Sequence, residues 1–60
     1  PIYGNNNKID FKNTNKKIVV KSTAVGTTLS NISFENYTSS AILLYNAKDI
    51  ILDNIKLIPK

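Results

Sequence analysis

Apolar and polar residues alternate with a period of two along most of the chain, which is the pattern of β-strands rather than helices. Ile9 and Phe11 fall on one side of a strand that carries Lys8, Asp10 and Lys12 on the other. Ile18 and Val20 alternate with Lys17, Val19 and Lys21, and Ile32 and Phe34 with Ser33 and Glu35. Ala41 to Tyr45 is continuously apolar, as expected of a strand covered on both faces. Asp49 to Ile58 reads as a long last strand with Ile55 and Leu57 on one face and Lys56 and Ile58 on the other. The apolar side of this pattern predicts a core of Ile9, Phe11, Ile32, Phe34, Ile42, Leu44, Ile55 and Leu57.

Turn residues separate these runs. Gly4-Asn5-Asn6-Asn7 precedes the first, Asn13-Thr14-Asn15 follows it, and Gly26-Thr27-Thr28, Asn36 to Ser40 and Asn46-Ala47-Lys48 divide the rest. Gly and Asn tolerate positive φ, and Asn side chains cap nearby backbone. Strands spaced at about ten residues are compatible with a sandwich, a barrel or a β-helix. A loose unit of apolar, any, apolar, any, Asn or Ser starts at Ile9, Ile18, Ile32, Ile42 and Ile50. Stacked Asn after each strand is a habit of parallel β-helices, and it would place Asn13, Asn36 and Asn54 in one ladder. The uneven spacing of the starts favours the sandwich.

Composition narrows the function. A chain of 60 residues makes at most one domain, and one without Cys or His has neither a disulfide staple nor an ordinary zinc site. The expectation is that another segment or a companion chain completes its core. The net charge of +4 comes from eight lysines against Asp10, Glu35, Asp49 and Asp53. These lysines are spread along the chain, and no arginine is present to read a base edge, so nucleic acid is not an expected partner. Asn, Ile and Lys dominate as in AT-rich coding, so the abundance of lysine carries little weight by itself. No apolar run approaches the roughly 18 residues of a membrane span.

Catalytic constellations are missing. Acyl transfer would have to rest on Ser or Thr with Lys, and no Ser-x-x-Lys occurs. Asp49 and Asp53 would stand roughly 13 Å apart along a strand, too far for a glycosidase pair. The reading is a chain that is not an enzyme, with no cofactor and no metal. Sugar recognition asks for aromatic platforms beside amide hydrogen-bonders at loop tips. Asn36, Tyr37 and Thr38 form one such group and Tyr45 with Asn46 another; Tyr3 beside Asn5 to Asn7 is a third. Asn31-Ile32-Ser33 and Asn36-Tyr37-Thr38 are also glycosylation sequons.

The last segment, DIILDNIKLIP from Asp49 to Pro59, resembles the closing strand of domain III in three-domain insecticidal crystal δ-endotoxins. Asp53, Ile55 and Pro59 fall on the slots of that strand, while Lys56 and Ile51 stand where an acid and an aromatic are more usual. Tyr3-Gly4-Asn5 and the stretch from Thr27 to Asn36 resemble earlier parts of the same domain. The resemblance implies an all-β, antiparallel β-sandwich of jelly-roll, galactose-binding-like type, with residues 1–60 as the C-terminal portion of one such domain. It implies a receptor- or carbohydrate-recognition and structural-closure segment of a pore-forming toxin, secreted or deposited as a bacterial crystal and acting extracellularly. Its partners would be the remainder of the toxin chain and a glycan or glycoprotein receptor at a membrane surface. The alternatives are a carbohydrate-binding module of a secreted glycan-degrading enzyme, the terminal coils of a parallel β-helix, or a small coat or assembly subunit.

Overall fold

A computed structural model describes residues Pro1–Lys60 as five β-strands without a helix. They are β1 (Ile2–Thr14), β2 (Ile18–Lys21), β3 (Thr28–Tyr37), β4 (Ile42–Tyr45) and β5 (Ile51–Ile58). The fold is all-β, as the period-two pattern predicts. β1, β3 and β5 make one sheet in that order, and β2 and β4 make a second.

Every pairing is parallel: β1 with β3, β3 with β5, and β2 with β4. The antiparallel neighbours expected of a jelly roll are not formed. The registers show why. Leu29 lies beside Leu52 and Phe34 beside Leu57, each 23 residues on, and Ile18 lies beside Ile42, 24 residues on. A strand therefore meets the equivalent strand of the next turn of chain, not the next strand in sequence. Consecutive motifs lie on different sides of a coil, and their starts are not all in register: Ile18 meets Ile42, but Ile9 meets Phe34 and Ile32 meets Ile55. The repeat is carried by every second strand.

The positive-φ residues mark the bends. Asn31 (φ 57) and Asn54 (φ 52) face each other between the pairs Ser30–Asp53 and Ile32–Ile55. Asn5 (φ 54) and Asn6 (φ 61) fill the same bend one coil earlier. Asn13 (φ 60) and Asn36 (φ 58) share the next bend, and Gly26 (φ 78) and Asp49 (φ 56) a third. Asn takes this conformation more readily than other residues with a Cβ because its short amide bonds locally. The abundance of Asn is thus a requirement of the coil, not only of coding bias. It also corrects the expected ladder: Asn36 belongs with Asn13, whereas Asn54 belongs with Asn31.

The molecule is a slab of 29 × 23 × 11 Å. Its short dimension matches two strand spacings of about 4.8 Å, so the coils stack along it. The middle coil carries the core. Leu29 and Phe34 are fully buried, with Phe11, Val20, Ile32 and Ala41 nearly so. The Phe11 and Phe34 rings stack at 6.1 Å between centroids and 17° between planes. Ile42 and Ile55 are half-buried against this cluster.

The expected core members Ile9, Leu44 and Leu57 are exposed. Ile9 and Leu57 stand in the same column as Phe34, but on the first and last coils, with no further coil to cover them. Leu44 stands beside Val20 on the outer side of the second sheet's stack. The two-faced burial expected for Ala41 to Tyr45 fails: Leu44 has no further coil over it, and Leu43 and Tyr45 face outward in the columns of Val19 and Lys21, where they are exposed. Leu29, missing from the predicted core, follows a Gly-Thr-Thr stretch that reads as turn but in which β3 already begins at Thr28.

Candidate functional site

The residues singled out for sugar binding are not gathered in one place. Asn36 and Tyr37 end β3, and Thr38 follows them. Tyr45 ends β4 and Asn46 follows it at φ 53. Most of β4, Ile42 to Leu44, lies between the two groups, so they occupy different corners of the coil. Tyr37 is half-buried and packs on the core, and its carbonyl accepts from the Lys60 amide at 3.1 Å. Thr38 donates its amide to the Thr14 carbonyl at 3.3 Å. Tyr45 projects outward beside Lys21.

Asn36 has a defined role within the chain. Its Nδ2 donates to Asp10 Oδ1 at 3.0 Å, and the Lys12 amide donates to the same oxygen at 2.8 Å. The Asn36 hydrogen bond, then the Lys12 amide, and then the Lys8 and Lys12 charges hold the Asp10 carboxyl below its ordinary value. Each of these favours the ionised form.

A concave polar feature lies elsewhere. A groove of about 650 Å³ runs across the outer face of the β1–β3–β5 sheet, over all three coils. Ten residues line it; none is aromatic and two, Ile32 and Ile58, are apolar. Strand parity builds it. Ile32 and Phe34 turn inward, which sends Ser33 and Glu35 outward. The register then places Lys8, Ser33 and Lys56 in one row across the coils. The bend at Asn6, Asn31 and Asn54 forms one wall, where Asn54 Nδ2 donates to Asn31 Oδ1 at 2.8 Å. Lys8 Nζ lies 3.8 Å from Glu35 Oε1, and Ser33 Oγ lies 3.2 Å from Glu35 Oε2.

Of the third sequence candidate, Asn6 and Asn7 line this groove, whereas Tyr3 points into solvent beside Ser30. Lys8, Ser33, Glu35 and Lys56 were not singled out from the sequence. Their signal was present as outward parity repeated at 25 and 23 residues, but it becomes legible only once the pairing partner is known. The arrangement offers amide, hydroxyl, ammonium and carboxylate groups on a rigid sheet. No cluster of three acidic side chains stands close enough to hold a metal ion. Comparison with known proteins finds no matching family model, no matching curated protein and no matching solved structure.

Proposed function

We propose that the chain is a stretch of parallel β-helix that serves as a non-catalytic recognition scaffold for extended glycan chains, acting outside the cell. The observation that carries this reading is the 23-residue parallel register, which turns side chains of successive coils into outward rows. A linear polymer with repeating hydroxyl groups is the ligand class that such a row of regularly spaced hydrogen-bonders fits. The δ-endotoxin and carbohydrate-binding-module readings both call for a sandwich of antiparallel neighbours. The three parallel pairings lend their support to the β-helix instead.

Retention on immobilised polysaccharides tests the proposal. The folded chain is expected to be held by at least one linear polysaccharide and released by short soluble oligomers of the same sugar. A chain that is folded by circular dichroism yet passes every member of a panel of neutral, uronic and sulfated polymers would overturn it.

A further inference from the structure

The chemistry of the groove says which glycans it suits, given that the chain binds glycans at all. Neutral sugars are commonly held by an aromatic ring under the apolar face of the pyranose, with amides reading the hydroxyls. This groove has no ring to offer. Tyr3 and Tyr45 are exposed on other parts of the coil, and Tyr37 packs against the core. Recognition in the groove must therefore come from hydrogen bonds and charge.

The charge is positive. Lys8 and Lys56 flank Ser33 in one row, two strand spacings or about 10 Å apart. Glu35 is the one carboxylate in the lining, and its ion pair is with Lys8, on the first coil. Asp10, the next acid on this face, lies outside the lining and stays ionised; its charge acts on Lys8 and Lys12 rather than on Lys56. Lys56 has no carboxylate within ion-pair distance. Its ammonium is available to a ligand, with the Asn31–Asn54 pair on one side and Ser33 behind it.

We propose that this groove binds an acidic glycan, a polymer bearing carboxylate groups, laid along the stacking axis. Lys56 is the principal anion contact, Lys8 a second contact shared with Glu35, and the Asn wall bonds the hydroxyls. The inference rests on the glycan reading given above and adds the charge of the ligand and its place on the chain.

The test compares a linear polyuronate with the same polymer methyl-esterified to neutrality, by calorimetric titration of the whole chain at low salt. Binding to the charged form is expected to be at least about tenfold tighter and to weaken as salt is raised. Lys56→Gln should weaken it by about three- to fivefold, the scale of one exposed ion pair. Glu35→Gln should strengthen it by a similar factor, because it removes the competing carboxylate and frees Lys8. Lys16→Gln, in the turn before β2, should leave it unchanged, with circular dichroism confirming the fold of each variant. Equal affinity for charged and esterified polymers overturns the acidic preference but leaves the glycan reading standing. Charge-dependent binding that Lys56→Gln and Glu35→Gln do not alter overturns the site. Tighter binding of single-stranded DNA than of the polyuronate overturns the ligand class, and binding of no glycan at all overturns the underlying reading as well.

Discussion

The side-chain amide of Asn54 donates to the carboxamide oxygen of Asn31 at 2.8 Å, and both residues hold the same left-handed backbone. Stacked bends thus carry two separable contributions, a conformational one and a hydrogen bond. Asn54→Gly keeps the left-handed bend but removes the hydrogen bond and frees the unfolded chain, and should cost about 1 kcal/mol. Asn54→Ala removes the bond and also forces a methyl-bearing residue to φ 52, which adds about 1 kcal/mol or more. Urea denaturation of the two variants should rank glycine above alanine. The opposite ranking would mean that the bend at Asn54 is not left-handed in solution.

Which parts of this molecule could be read from its sequence follows from locality. Strand character, the inward positions of Ile32, Phe34 and Ile55, and the role of Asn at bends are local properties, and the period-two pattern exposes them. Pairing partners are not local. Asp53, Ile55 and Pro59 fit a sandwich's closing strand as well as a coil's third rung, because both need the same alternation. Two register shifts in β1 hide the repeat further: Tyr3 pairs with a residue 27 positions on, Ile9 with one 25 on, and Thr14 with one 23 on. A repeat whose period drifts within a single strand does not surface in a search for even gaps. The groove was out of reach for the same reason, since Lys8, Ser33 and Lys56 become neighbours only through that pairing.

Asp10 gives the chain an acid-sensitive contact between its first two coils. Its carboxyl is held below the ordinary 3.8, first by Asn36 and then by the Lys12 amide. A carboxylate whose native pKa is depressed contributes stability that is fully present above its unfolded value and is lost as the pH falls through the lower native value. The contribution of this pair should therefore fade on the acid side of 3.8. Asn36→Ala removes the largest cause, so the Asp10 titration followed by carboxyl NMR should move up towards the ordinary value. A titration that stays where it was in the variant would show that Asn36 does not bond Asp10 in solution.

The two glycines are needed for different reasons, and substitution can tell them apart. A Cβ on Gly4 would collide with the Ile32 side chain and stand 2.5 Å from the Asn31 carbonyl oxygen, which belongs to the backbone of the next coil and cannot turn away. Gly4→Ala should cost about 1–3 kcal/mol as overpacking does. Gly26 has open space around its Cβ position but sits at φ +78. Gly26→Ala should cost about 1 kcal/mol through backbone strain. Asn is the residue the other bends use, so Gly26→Asn should recover most of that loss, whereas Gly4→Asn should be at least as damaging as Gly4→Ala. Equal rescue at both positions would remove the case for a close approach of coils at Gly4.

Phe34 and Leu57 occupy one column of the stack and differ in what lies beyond them. Phe34 has the first coil on one side and the last on the other and is fully buried; Leu57 has Phe34 beneath it and is 56% exposed. Phe34→Ala empties the centre of the core and removes the ring stacked on Phe11, so its cost should be about 3–5 kcal/mol, enough to unfold a chain of this size. Leu57→Ala removes a side chain that already meets solvent over half its surface, and should cost about 1 kcal/mol or less. The difference between the two tests whether the last coil is open in solution. If Leu57→Ala proves as damaging as Phe34→Ala, then Leu57 is covered, and β5 must be carrying another strand on its free edge. That strand would reveal itself as a concentration-dependent mass in sedimentation equilibrium, which Leu57→Ala would abolish.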